Sequence, residues 1–351
     1  MTVTATDAAF AKGLQEFLDR RVGALAAGHG GWDAALFADV LQQGWADLAV
    51  PVEQDGLGAG LADLRPLMTL MGDRLVPGPL VESVVLPAVL GVPTEQVLAF
   101  ADPEAAIGWS TQQGQLRFAD GVLDGSLELV RFAAEAELLV VVAQGADGGP
   151  VLLALPGDQA GLLVQDTASE DPSSHYARLT ATAVQVDPGA VLAAGSDAVA
   201  RLVTARAWIR VLLSCELAGI ARRVLQDTIT YVSAREQFGR PIGSFQAIKH
   251  LVAAMAQATF ALESYTAAVA ADAAEQSPAE LEQAAWALKA FASQACRSVC
   301  ETGLQAHGGI GFTTEYHLHW YLRRAYALDY WYGNGESLYE LVGARRVGTT
   351  A

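Results

Sequence analysis

A chain of 351 residues with 52% apolar side chains has enough hydrophobic surface for one large packed domain or two to three small ones, and too much to stay disordered. Its formal charge of −17 sets up a field that repels nucleic acid and anionic membrane, so neither is an expected partner. Any anionic ligand has to be met by local Arg or Lys.

The opening residues lack the basic and apolar regions of a signal peptide, and no uncharged apolar run reaches membrane-spanning length, so a soluble cytoplasmic protein is expected. Cys215, Cys296 and Cys300 form a sparse, odd set that fits a reducing compartment. Without His or acidic residues at zinc-like spacing around them, they read as core thiols.

Along the chain, Phe10, Leu14, Phe17, Leu18 and Val22 recur at helical spacing over residues 7–27, with Asp7 as N-cap. Further helices are predicted over 32–44, 61–75 and 80–90, with a loop over 51–60 and Val76-Pro-Gly-Pro79 as a stop. Near Pro93 the composition shifts to short runs rich in Val and Leu. Residues 138–142 and 151–155 read as a hairpin, and 162–164 and 182–186 as strands. Long Ala-rich helices return over 198–231, 246–271, 278–303 and 316–329, a pattern for a four-helix bundle. The expectation is therefore an α+β fold, mainly α, with a helical domain over 1–93, a β domain over 94–195 and a helical bundle over 196–351.

Between the first two long helices stands Arg235-Glu-Gln-Phe238-Gly-Arg-Pro-Ile-Gly-Ser-Phe-Gln246. It resembles a signature of the acyl-CoA dehydrogenase family, flavoproteins that desaturate acyl-CoA thioesters between the α and β carbons. Two other stretches resemble that family in the same order. Gly44-Trp45 with Pro51-Val-Glu53 and Gly56-Leu-Gly58 is similar to its N-terminal element, and Gln305-Ala-His307-Gly308-Gly309-Ile-Gly311 to its C-terminal one. The resemblance frames nearly the whole chain and implies a helical domain, a β-barrel domain and a helical bundle, in that order.

The resemblance also implies FAD as cofactor, an acyl-CoA thioester as substrate, a tetrameric assembly, and electron-transfer flavoprotein as electron acceptor. In the family, residues matching Arg235, Gln305, Gly308 and Gly309 reach the FAD of a neighbouring subunit, and Phe238 and Gln246 stand at further contact positions. An arginine fork and backbone N–H groups at glycines suit a diphosphate. Departures lie elsewhere. The nearest match to the family's flavin cradle, Ala101-Asp102-Pro103-Glu104-Ala105-Ala106, lacks the Gly-Ser-Asp that should follow, and no Trp-Ile-Thr comes after it.

The family's catalytic base is missing as well. Gly333 and Ile209 occupy its two known positions, and neither accepts a proton. Glu216, Asp329 and Glu336 are the acids available as a relocated base. His307 and His319 are expected to be structural, hydrogen-bonded residues. Three readings follow: a base-lacking subunit paired with a related chain in an α2β2 heteromer, a self-sufficient homotetramer with a relocated base, or a flavin-free scaffold.

Overall fold

The computed structural model describes residues 13, 16, 18, 31–106 and 114–348. The predicted helix over 7–27 lies outside the described residues except at 13, 16 and 18, which are helical. Three helices follow, α1 (Ala34–Gln42), α2 (Leu61–Arg74) and α3 (Leu80–Leu90). Asp33 caps the first by accepting the Leu36 N–H at 2.9 Å.

The middle of the chain is a mixed sheet of eight strands: β1 (Leu98–Ala101), β2 (Gly114–Ala119), β3 (Val122–Arg131), β4 (Leu138–Gly145), β5 (Pro150–Pro156), β6 (Leu162–Thr167), β7 (Tyr176–Gln185) and β8 (Val191–Ala194). They run in the order β6-β7-β3-β2-β4-β5-β8, and β1 lies parallel to β4. The predicted hairpin is β4–β5, antiparallel, with Val141 opposite Leu153. Inward residues such as Leu116, Leu139, Leu153 and Leu179 close a core that belongs to the sheet alone. Strand β3 departs from simple alternation. Register shifts divide it between Leu123 and Gly125 and again between Leu127 and Val130, and it ends with Val130 and Arg131 both buried.

From Gly195 the chain is helical again: α4 (Gly195–Ala234), α5 (Gln246–Asp272), α6 (Pro278–His307), α7 (Leu318–Tyr330) and α8 (Gly335–Val347). With 40 residues, α4 is about 60 Å long. Its middle, from Ile209 to Ala221, is buried on every side, as befits the central helix that α2, α5, α6 and the sheet all pack against. Two glycines set its distance from α2. A Cβ at Gly219 would lie 1.9 Å from the Thr69 carbonyl oxygen, and one at Gly72 1.9 Å from that of Glu216, so the two backbones touch directly. Helix α6 begins in a capping box, where Ser277 and Glu280 bond reciprocally.

The bundle carries one element beyond the four predicted helices. Helix α8 packs against α6 and buries a single apolar residue, Leu338, so its hydrophobic period is too faint to read.

Candidate functional site

The link between α4 and α5 is a small hairpin, β9 (Glu236–Gln237) with β10 (Arg240–Pro241), which pairs Gln237 with Arg240. Its two-residue loop puts Phe238 at φ 53° and Gly239 at φ 79°. Positive φ at both central positions is the type I′ requirement, which matches strand twist but strains an aromatic residue. Phe238 is 93% exposed at this tip. Its ring meets Phe245 edge-on at 6.2 Å, and Arg240 covers Phe245 at 4.0 Å. The hairpin ties back through Ile242 N–H donating to the Arg235 carbonyl at 2.8 Å.

Beside the hairpin, Arg235, Gln305, Gly308 and Gly309 line one open pocket of about 510 Å³, with Tyr231 and His307. Phe238 and Gln246 do not line it; Gln246 is exposed at the start of α5. The pocket floor is rigid. His307 Nδ1 donates to the Gly303 carbonyl at 2.7 Å, which fixes the tautomer, so Nε2 accepts from the Tyr316 hydroxyl at 3.2 Å. Tyr231 stacks on the imidazole at 4.2 Å and donates to the His307 carbonyl. Burial holds this histidine below its usual pKa, in keeping with the neutral ring. His319, partly exposed, approaches the Thr314 carbonyl through Nε2 at 3.3 Å.

The two glycines differ in what they need. Gly308 ends α6 at φ 63° and ψ −142°, a positive-φ conformation that favours glycine. Gly309 has no such φ, and a Cβ there would meet nothing within 4 Å. Nothing inside the chain asks for glycine at 309.

The second region gathers the cradle-like segment 101–106 and the two positions, 209 and 333, where the resemblance implies a base. Arg206 Nε and Nη2 grip the Asp102 carboxylate at 2.9 and 2.7 Å, a bidentate pair in which Asp102 is fully buried. Glu104 bonds both Arg206 and Arg210. Arg210 Nε donates to the Tyr332 carbonyl at 3.0 Å, and Tyr332 N–H to Ala105 at 2.9 Å. The acids of the cradle-like segment are thus spent on internal arginines. The i, i+4 spacing of Arg206 and Arg210 was the available signal, since it puts both on one helix face; their acidic partners lie about a hundred residues upstream, beyond any spacing rule.

Ile209 is fully buried, and Gly333 sits at φ 101° where a Cβ would come within 2.7 Å of Leu338. Beneath the loop lies Lys289, fully buried, donating to Ser293 Oγ at 2.9 Å, the Asp329 carbonyl at 2.9 Å and the Gly333 carbonyl at 3.2 Å. Burial pulls its amine down to about 7 although Asp329 works the other way. No sequence pattern marks this lysine, because its partners are mostly backbone carbonyls.

The three acids considered as a relocated base part company. Glu216 lies in the core with Arg324 Nη1 at 3.5 Å, and burial raises its pKa. Asp329 and the exposed Glu336 share an open cleft of about 590 Å³. There Asp329 pairs with Arg297 at 3.5 Å and accepts the Gly335 N–H at 3.4 Å. Among the described residues no His, Cys, Asp and Glu group could hold a metal ion, and no helix is long and apolar enough to cross a membrane.

Comparison with known proteins places these regions in context. Residues 198–347 match the model of the acyl-CoA dehydrogenase C-terminal domain. Acyl-CoA dehydrogenase IpdE2 of Mycobacterium tuberculosis is 31% identical over 301 residues, covering 84% of this chain and 81% of the relative. Acyl-CoA dehydrogenase FadE34 of the same organism is 32% identical over 303 residues; the alignment covers 84% of this chain but 39% of that longer protein. In fold, the ChsE4-ChsE5 complex from Mycobacterium tuberculosis superposes with a TM-score of 0.85 at 22% identity, covering 100% of this chain and 99% of that one. Butyryl-CoA dehydrogenase from Megasphaera elsdenii gives 0.87 at 20% identity over 99% of both chains.

Proposed function

Because the chain belongs to the acyl-CoA dehydrogenase family, we propose that it is the base-lacking subunit of a heteromeric acyl-CoA dehydrogenase and completes the FAD site of a related partner subunit. The observation that carries this reading is Gly309, a glycine with no internal reason to be one, beside Arg235, Gln305 and Gly308 in an open pocket. The donor set suits the diphosphate of FAD: a guanidinium fork for the oxygens, an amide, and at Gly309 a backbone that no side chain screens, next to Gly308, whose own N–H is donated to the Gln305 carbonyl. Arg235 also supplies a local positive charge that the acidic chain as a whole does not offer.

When bound, FAD supplies the hydride acceptor for α,β-desaturation of an acyl-CoA thioester. This chain's residues bind and orient: Arg235 and the Gly308–Gly309 backbone anchor, the locked His307 keeps their loop in place, and the Phe238 tip offers an apolar contact to the partner. The proton-accepting carboxylate comes from the partner, since Gly333 and Ile209 have none to give. An α2β2 assembly and electron-transfer flavoprotein as acceptor belong to the same reading. The existence of a two-component relative in fold, the ChsE4-ChsE5 complex, supports it.

Co-expression with a related chain that carries the missing Glu tests the proposal. The pair should purify yellow, with about half a flavin per chain as pairwise symmetry requires, and Arg235→Met or Gly309→Val should strip most of that flavin. A yellow homotetramer of this chain alone that bleaches with acyl-CoA overturns the reading. If Asp329→Asn or Glu336→Gln then abolishes bleaching, the self-sufficient enzyme with a relocated base takes its place.

A further inference from the structure

The space beside Trp331, two residues before Gly333, is bounded by α3, the end of β3, α4 and α7, and charged side chains of this chain occupy it. Arg131 enters from the irregular end of β3, where the register shift after Leu127 breaks the in-and-out alternation and turns the arginine inward. Its guanidinium lies 3.8 Å from the ring centroid of Trp331, two residues before Gly333, and its Nη1 lies 3.8 Å from Glu82 Oε1 on α3. Nε and Nη1 of Arg131 have no hydrogen-bond partner, and neither Glu82 oxygen accepts a hydrogen bond from another side chain. On the far side Arg324 holds Asp171 at 3.3 Å, Glu216 at 3.5 Å and the Val76 carbonyl at 3.0 Å.

A chamber able to admit a thioester would admit water first, and its walls would be wetted. Here Glu82, Ile209, Arg210 and Tyr332 are 0% exposed, Arg131 3% and Trp331 4%. The junction is solid.

We propose that this junction is a charge-filled plug, so that the chain accepts neither a flavin ring nor an acyl thioester at the place its own missing base would have served. The proposal deepens the function proposed above and shares with it only the identification of position 333. The loss then goes further than one deleted carboxylate. The two guanidinium groups and three carboxylates that fill the space come from all three structural layers, and a pair held at 3.8 Å without hydrogen bonds depends on both members being present. Removing one leaves an uncompensated buried charge, whereas replacing both by apolar groups of similar volume keeps the packing.

The test uses the full chain, titrated calorimetrically with butyryl-CoA, alongside thermal melts of Arg131→Met, Glu82→Leu and the double variant. The expected result is no saturable uptake by the wild type, a drop of several degrees for each single variant, and recovery of most of that drop in the double variant. Uptake that Arg131→Met leaves unchanged puts the ligand elsewhere and also supports the plug. Saturable uptake weakened tenfold or more by Arg131→Met overturns it, as do melting losses that simply add. If the single variants fail to fold, the double variant still decides: with both charges gone and the volume kept, a well-folded protein fits the plug, and an unfolded one contradicts it. The proposed function fails by a different sign, flavin content of the co-expressed pair that ignores Arg235→Met, which none of these readouts touches.

Discussion

The pocket at the hairpin and the junction at Gly333 are both built around arginines, and they use them in opposite ways. Arg235 stands at an open surface with backbone and amide groups around it, while Arg206, Arg210, Arg131 and Arg324 are neutralised by carboxylates inside the fold. Under the proposed function, the exposed Arg235 is there for an external anion. The buried arginines have found their anions already, and the difference separates what the chain offers from what it has closed.

The strongest way to break this contrast is at the crossing of α2 and α4. Gly219→Val forces a side chain into the Thr69 carbonyl, 1.9 Å from the Cβ position, and should cost more than about 4 kcal/mol. Loss of soluble protein, or a collapsed urea midpoint, is the readout. Arg206→Met comes next, because it strips the buried Asp102 of its bidentate partner. A loss of about 3 kcal/mol is expected in urea melts, and adding Asp102→Asn should recover part of it. Arg235→Met is the matched control at the open pocket. Its stability should stay within about 0.5 kcal/mol of wild type, while flavin in the co-expressed pair falls.

Lys289 sharpens the comparison through pH. Its ordinary pKa of 10.5 in the unfolded chain is pulled to about 7 in the fold, so folding binds the proton less well. Stability is highest above the unfolded value, declines as the pH drops toward about 7, and is flat below it. Relative to Lys289→Met, the wild type should lose on the order of a few kcal/mol over that window. A difference that stays constant from neutral to alkaline pH would show that the three acceptors keep the ammonium charged throughout. Gly333→Glu should cost less than the loss of the Arg206–Asp102 pair. Strain at φ 101° and contact with Leu338 should cost roughly 1–3 kcal/mol, and acyl-CoA-dependent flavin bleaching by the chain alone should remain absent despite the new carboxylate.

Much of the architecture was legible because it rests on period and punctuation. The hairpin β4–β5 shows as two Val and Leu runs around Ala-Asp-Gly-Gly, and α4 as a long Ala-rich helical run over 198–231. Strand β3 was not, since Asp124, Gly125 and Glu128 interrupt its pattern and its register shifts only make sense against β7. The pocket residues could be named because the resemblance put Arg235, Gln305, Gly308 and Gly309 in order, and the fold brings those four together. Phe238 and Gln246 stand outside that pocket. Long-range charge pairing was invisible: Asp102 with Arg206, or Glu82 with Arg131, obeys no local spacing, and only the tertiary structure introduces the partners.

The touching backbones at Gly72 and Gly219 carry a consequence for how this protein can change. Substitutions at the junction alter what fills the gap between α3, α4 and the sheet, but the spacing of α2 and α4 next to it is held by a crossing where two hydrogen atoms stand in for side chains. A lineage that trimmed every charged group there would still inherit the same narrow spacing. Regaining a roomy interior would take a shift of whole helices, and the two smallest residues at their crossing act as the latch.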